Sequence, residues 1–158
     1  MNVKKINKCI LDYKSNLDLV YNFGKMKPTG IFKKNKVNPV NLSLNFCKKY
    51  NFGQITKSLK PDIMFNDYYY RSRVTLTMKN HFNYLVKLIK KKVEIDNKLN
   101  ILDIGCNDGT FLNILDKKFS NLNCYGLDPS KAINDAKFEF KKYKFIKDYF
   151  PSKKLINN

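Results

Sequence analysis

Arginine is almost absent from this sequence, although the chain is strongly basic. The 158 residues carry a formal net charge of +18, yet Arg71 and Arg73 are the only arginines, and the other basic residues are lysines spread along the chain. Proteins that read nucleic acid depend on arginine for bidentate contacts. A basic nucleic-acid-binding module remains an alternative, but the pattern favours a diffuse basic surface, and we expect no nucleic-acid partner.

Long apolar runs are also missing. The N-terminus carries positive charge without the apolar stretch of a secretory signal, and no run reaches membrane-spanning length. We therefore expect a soluble, cytoplasmic protein without a membrane partner. In such a reducing compartment the cysteines are expected to be thiols or former metal ligands rather than disulfides. They are Cys9, Cys47, Cys106 and Cys124.

The pattern along the chain changes twice, which predicts segments 1–60, 61–96 and 97–158. The first holds short apolar pieces broken by proline, glycine and asparagine, which indicates turns and short strands. The second begins with a tyrosine-rich stretch and continues as a helix capped by Thr75 or Thr77. The apolar stripe of this helix consists of Met78, Phe82, Leu85 and Ile89.

The third segment alternates predicted strands and helices. "NILDI" predicts a buried strand, "TFLNILDKKF" a helix, and "NCYGLDPS" a second strand that ends at Asp128. A helix capped by Ser130 follows in "SKAINDAKFEF", and "KYKFIKDYF" predicts a third strand. This βαβαβ order is typical of a parallel, doubly wound sheet. The predicted fold class is α/β, with a small irregular N-terminal domain and a partial Rossmann-like half.

The glycine-containing turn after the first of these strands is the strongest candidate for a binding site. Gly105 and Gly109 allow a tight turn and a close approach of a ligand to the backbone. No G-K-[ST] follows them, so the turn does not resemble a phosphate cradle. Asp103 ends the first strand, and Asp128 lies where a carboxylate reaches ribose hydroxyls in nucleotide-binding α/β folds. S-adenosylmethionine fits such a site, whereas the alternative is a turn that serves chain geometry alone.

At this point the sequence resembles a known family. "LDIGCNDGTFL" followed by "GLDPS" resembles the cofactor motif of S-adenosylmethionine-dependent C-methyltransferases that act on nucleotide-linked deoxysugars. Four upstream stretches are similar, in the same order, to the N-terminal region of that family: "FGKMKPTGIF", "NPVNLSLNFCKKYNFGQI", "MFNDYYYRS" and "TMKNHF". The resemblance extends from Cys9 to Phe150. It implies a small zinc-ribbon-like, zinc-binding domain, a tyrosine-rich segment with a linking helix, and a methyltransferase domain.

The resemblance also implies roles for individual residues. Tyr70, in the tyrosine-rich segment that lies near the methionine end of the cofactor, is the first catalytic candidate, and His81, on the following helix, is the second. Packing of a domain junction is the alternative for the tyrosines, and a structural role is the alternative for the histidine. Asp128 would bind the ribose hydroxyls. The segment includes Tyr68, Tyr70, Arg71 and Ser72, and the cofactor turn would be formed by Asp103, Gly105, Asn107, Asp108 and Gly109.

The zinc-binding part departs from the family pattern. The family uses paired C-x-x-C motifs, which offer four thiolates to a tetrahedral metal. Here Asp12 stands at the partner position of Cys9, and Tyr50 stands at that of Cys47. Cys9 and Cys47 are the remaining metal-ligand candidates. The loss of half of each pair argues against a bound structural zinc.

The C-terminal part departs as well. In the family, further strands and the principal acid/base residues follow the third strand, whereas this sequence stops at "DYFPSKKLINN". We therefore expect a truncated member, inactive alone, of a family that removes a proton next to a keto group and joins the resulting carbon to the sulfonium methyl. The alternative is one chain of a split enzyme whose missing strands come from a complementing chain. The substrate implied by the resemblance is a nucleotide-linked keto-deoxysugar.

Overall fold

The computed structural model describes residues 3–27, 38–65, 68–93, 99–119 and 122–156, without the side chain of residue 156. The chain divides into two compact units, Met1–Phe65 and Asn66–Asn158. The predicted segment bounds at residues 60 and 96 stay predictions.

The first unit is built almost entirely from short antiparallel strands. Strand β1 (Val3–Lys5) pairs with β5 (Lys57–Leu59), and a separate sheet has the order β2-β3-β4. Its strands are β2 (Asp18–Met26), β3 (Val40–Cys47) and β4 (Phe52–Ile55), and the short helix α1 (Pro61–Phe65) ends the unit. The prediction of turns and short strands is confirmed for the described residues. Most of the "FGKMKPTGIF" stretch, from residue 28 onward, lies outside them.

The second unit begins with the helix that the apolar stripe predicts. Helix α2 (Leu76–Lys92) is capped by Thr75, whose hydroxyl accepts a hydrogen bond from the Met78 amide at 3.3 Å. One face of α2 packs on α3 (Thr110–Lys118), where the rings of Phe82 and Phe111 lie 5.2 Å apart. Val86, which the predicted stripe did not include, is the buried residue of α2. In the described part of the chain, no helix has the length and apolar character needed to cross a membrane.

A parallel sheet forms the centre of the second unit. Its strands are β6 (Asn100–Ile104), β7 (Asn123–Leu127) and β8 (Lys144–Ile146), in the order β6-β7-β8. Helix α3 connects the first two strands, α4 (Ala132–Glu139) connects the last two, and α5 (Lys153–Ile156) follows. The predicted βαβαβ order is thus confirmed. The Ser130 hydroxyl accepts a hydrogen bond from the Ala132 amide at 3.2 Å, but the N-cap position of α4 is occupied by Lys131 and not by Ser130 as predicted.

The two faces of this sheet differ. Residues of α3, α4 and all three strands form one apolar core, whose strand members are Ile101, Cys124 and Phe145. On the opposite face of β6, Leu102 is 38% exposed and Ile104 is 53% exposed. The prediction of a buried strand was therefore wrong, because in the described residues β6 is an edge strand with helices on one face. A doubly wound sheet carries helices on both faces, and the described residues contain the helices of one face only.

Candidate functional site

The turn between β6 and α3 is tied to the carboxyl end of β7. The amides of Gly105 and Cys106 both donate to the Leu127 carbonyl, at 2.7 and 3.2 Å. Gly105 has φ of +82°, which L-residues rarely adopt, and a Cβ added there would meet nothing within 4 Å. The backbone at Gly105 therefore borders open space, as a backbone that a ligand approaches must do.

Gly109 serves a different purpose in the same turn. Its φ is +74°, and an added Cβ would lie 2.8 Å from the Phe145 ring and 3.2 Å from the Ala136 Cβ. These distances are shorter than ordinary van der Waals contact, so only glycine lets the start of α3 pack this closely on α4 and β8. Of the two glycines predicted to bind the cofactor, Gly105 faces open space and Gly109 faces the core.

Two carboxylates flank the turn. Burial, with a smaller contribution from the charge of Asp128, raises the pKa of Asp103 to about 6. Asp128 is buried and already accepts hydrogen bonds from the Asn107 amide at 2.9 Å and from the amide and hydroxyl of Ser130 at 2.8 and 2.5 Å. A carboxylate has about four lone-pair sites, so Asp128 has capacity for about one more donor. A positive charge nearby would relieve the electrostatic cost of ionising Asp103.

Asn107 and Asp108 contact the tyrosine-rich segment. The Asn107 side chain accepts from the Ser72 amide and donates to the Tyr70 carbonyl, each at 3.1 Å. The Asp108 carboxylate accepts from the Arg73 amide at 3.0 Å. Both residues were predicted to form the cofactor turn, and the structure uses their side chains to hold a neighbouring stretch of backbone.

The two catalytic candidates occupy different surroundings. The backbone of Tyr70 lies against the glycine turn, and its ring stands edge-on to that of Tyr68 at 6.2 Å between centroids. His81 is exposed on α2, with Phe82 as its ring neighbour at 6.3 Å. Among the described residues, no hydrogen bond, ion pair or ring contact joins His81 to the turn. The structure therefore brings Tyr70 to the candidate site and does not bring His81 there.

Three charged residues that the sequence analysis did not select, Arg73, Asp135 and Glu139, also belong to this region, together with Arg71. Arg71 Nε donates to Asp135 at 2.5 Å, and Arg73 forms an ion pair with Glu139. Asp135 and Glu139 are four residues apart on α4, so they lie on one helix face. The pair of arginines in "RSR" and the acids at this spacing were the available signal, but the sequence did not reveal that they meet.

The two metal-ligand candidates of the first unit are both fully buried. Burial raises the pKa of Cys9, and the neighbouring Cys47 thiol raises it further. Asp12 accepts from the side chain and amide of Ser15 at 2.6 and 3.0 Å and forms an ion pair with Lys49 at 3.1 Å. Among the described residues, no group of three or more potential metal-binding side chains comes together.

The parallel sheet with its glycine turn defines a Rossmann-like α/β unit, and comparison with known families identifies it. A family described as "Methyltransferase domain" matches residues 70–150, just over half of the chain. The chain therefore belongs to this methyltransferase family. The matched range contains the Tyr70 end of the tyrosine-rich segment, the glycine turn and all three parallel strands.

Solved structures give partial matches. The plantazolicin methyltransferase BpumL in complex with SAH is 30% identical, with a TM-score of 0.33, over 45% of this chain and 26% of that chain. BpumL with a pentazolic desmethylPZN analog and SAH is 26% identical, with a TM-score of 0.39, over 51% of this chain and 33% of that chain. BpumL with a monoazolic desmethylPZN analog and SAH is 30% identical, with a TM-score of 0.34, over 48% of this chain and 29% of that chain.

The matched region therefore spans between about a quarter and a third of the length of these solved chains. No curated protein matches the sequence.

Proposed function

We propose that the second unit binds S-adenosylmethionine at the β6–α3 turn and belongs to an enzyme that transfers its methyl group. The observation that carries the proposal is the open space at Gly105, because it lies between the ends of β6 and β7, where Asp103 and Asp128 stand. When bound, the cofactor would supply an electrophilic methyl group on a positively charged sulfur. Family membership supports methyl transfer as the reaction class.

The residues present fit this cofactor. A Cβ at Gly105 would stand in the space that an approaching ligand needs, and Gly105 leaves that space free. Asp128 has a remaining acceptor site for a ribose hydroxyl. Asp103 offers a carboxylate that becomes easier to ionise beside a cation, and no G-K-[ST] is present that would recognise phosphates instead.

The finer proposal concerns the methyl acceptor. We propose a nucleotide-linked keto-deoxysugar, since the order of motifs from Cys9 to Phe150 resembles sugar C-methyltransferases. Transfer to carbon requires a base that removes a proton next to the keto group, so that the carbon becomes nucleophilic. Tyr70 is the candidate for that base, because its backbone lies at the turn. Among the described residues, no contact joins His81 to the turn.

A second proposal concerns a complementing chain. Leu102 and Ile104 leave an apolar face of β6 exposed, and β6 is an edge strand in the described sheet. Unpaired edges and apolar faces of this kind are normally covered. We propose that a polypeptide bearing further strands of the methyltransferase sheet pairs with β6, and that turnover requires it.

Calorimetric titration of the 158-residue protein with S-adenosylmethionine and with its demethylated product, S-adenosylhomocysteine, tests the cofactor proposal. We expect binding of both, and we expect Asp103→Asn to weaken binding of the charged sulfonium compound roughly tenfold, and that of the uncharged sulfide less. Asp18→Asn, an exposed carboxylate in the first unit, is the matched control. A finding that neither compound binds would exclude the proposed site.

Methylation of a keto-deoxysugar nucleotide, assayed with labelled cofactor, tests the acceptor. Binding of the cofactor without transfer to any keto-deoxysugar nucleotide, even with the added strands, would contradict the acceptor assignment alone. Turnover by the 158-residue protein by itself would contradict the need for a complementing chain.

A further inference from the structure

The side chains of Asn107 and Asp108 hold an irregular segment, residues 68–73, that we call the strap. They provide a donor for the Tyr70 carbonyl and acceptors for the amides of Ser72 and Arg73, with all three bonds at 3.0–3.1 Å. A segment outside helices and sheets has no regular backbone partners, so its buried amides and carbonyls need others. Asn107 and Asp108 supply them.

Hydrogen bonds within the strap and with α4 also hold it in place. Arg71 folds back so that its Nη1 donates to the carbonyls of Tyr68 and Tyr70, at 2.9 and 3.1 Å. Its Nε reaches Asp135 of α4 at the same time. The strap is therefore tied to the glycine turn on one side and to α4 on another.

The bond between Asn107 and the Ser72 amide is buried, and those to the Tyr70 carbonyl and the Arg73 amide are partly buried. Asn107 and Ser72 are each 7% exposed, and Asp108 is fully buried. Asp108 also accepts from the amide and hydroxyl of Thr110, at 3.3 and 2.7 Å, so one carboxylate joins the start of α3 to the strap. Loss of a buried partner leaves a polar group unsatisfied, which costs more than loss of an exposed hydrogen bond.

We propose that Asn107 and Asp108 are positioning residues, whose side chains clamp the strap to the glycine turn and thereby set the location of Tyr70. The significance of Tyr70 rests on the proposed function, whereas the clamp itself does not. Because the clamp couples the two segments, a ligand that orders the turn must also order the strap, and a broken clamp must remove that response.

Hydrogen exchange of the Ser72 amide, followed by NMR on the 158-residue protein, tests the clamp. Asn107 has φ of +51°, so Asn107→Gly removes the side chain without the backbone strain that alanine would add. We expect Asn107→Gly to accelerate exchange of the Ser72 amide about tenfold or more. Asn100→Ala, which removes an exposed side-chain hydrogen bond at the other end of β6, should leave that rate unchanged.

The effect of the cofactor on exchange of the Ser72 amide distinguishes a positioning role of Asn107 from a purely stabilising one. In the unaltered protein, saturating S-adenosylmethionine should slow exchange of the Ser72 amide further. In Asn107→Gly, at cofactor concentrations that calorimetry shows to saturate this variant, the Ser72 amide should no longer respond. Retention of the response in Asn107→Gly, or an unchanged basal rate, would overturn the proposal.

A second variant covers a failure to fold. If Asn107→Gly loses its helical circular dichroism, Asn107→Asp replaces it, since aspartate tolerates the same positive φ but sets a carboxylate oxygen, without a donor, against the Tyr70 carbonyl. We expect several-fold faster exchange of the Ser72 amide in Asn107→Asp because the strap is displaced, and an unchanged rate would again overturn the proposal. If the unaltered protein does not bind the cofactor, the proposed function fails, while the basal exchange rates still decide whether the clamp exists.

Discussion

Replacement of Asp103 by asparagine should stabilise the second unit at neutral pH, although it removes a carboxylate from the candidate site. Burial and the nearby charge of Asp128 raise the pKa of Asp103 from 3.8 to about 6. A difference of roughly two pKa units corresponds to about 3 kcal/mol of unfolding free energy. Solvent that reaches this half-buried carboxylate screens the effect, so we expect a gain of about 1–3 kcal/mol for Asp103→Asn at pH 7.5.

The pH dependence follows from the direction of the shift. The folded protein binds the proton of Asp103 more tightly than the unfolded chain does, so stability falls as pH rises from about 4 to about 6. Above that range the full cost of the buried charge is present. Asp103→Asn should lack this contribution, and its advantage over the unaltered protein should disappear near pH 4.

Urea unfolding at a series of pH values, followed by helical circular dichroism, measures this effect in the second unit. The signal reports mainly that unit because it contains α2, α3 and α4, whereas the described helices of the first unit are the five-residue α1 and a three-residue 3-10 helix, Lys48–Tyr50. Asp18→Asn serves as control, with no expected change in the helical transition. We infer that the ionised Asp103 carboxylate destabilises the folded second unit. A lower unfolding free energy of Asp103→Asn at pH 7.5, or the same pH dependence as in the unaltered protein, would refute that inference.

Two further predictions concern packing and pH. Gly126→Ala should destabilise the second unit by about 1–3 kcal/mol in urea unfolding, because the added Cβ would lie 2.5 Å from the Phe145 ring, and a neutral effect would contradict that contact. In the first unit, hydrogen bonds from Ser15 hold the pKa of Asp12 well below its ordinary 3.8, so the stability that they provide should be present above that pH and fade as the solution becomes more acidic. Asp12→Asn should reduce this acid sensitivity, which amide exchange of the Ser15 backbone can follow, and an unchanged acid response would show that the carboxylate is not its source.

Local sequence pattern predicted the second unit well. The cap at Thr75, the helical stripe through Phe82 and the alternation of strands and helices depend on interactions within a few residues, and all are found in the structure. The burial of β6 was mispredicted, since an apolar strand has the same sequence whether one face or both are covered. Exposure of Leu102 and Ile104 depends on which elements pack against them.

The roles of the turn residues could be predicted only in part. The sequence identified Gly105 and Gly109 together, but not that one faces open space and the other faces Phe145. Likewise, nothing in the spacing of Asn107 and Asp108 indicates that their side chains reach backbone atoms more than thirty residues away. Such long-range pairs arise from chain topology and are not visible in local periodicity.

The sequence by itself determined the α/β class, the position of the glycine turn and the resemblance to a methyltransferase, because turn chemistry and hydrophobic period are local properties. Tertiary structure decided how those pieces are used. It buried Asp103 and placed it near Asp128, and both effects raise its pKa, with burial the larger; it also joined the strap to the turn through the hydrogen bonds of Asn107 and Asp108. These effects depend on burial and on distances between residues far apart in the chain, which packing alone establishes.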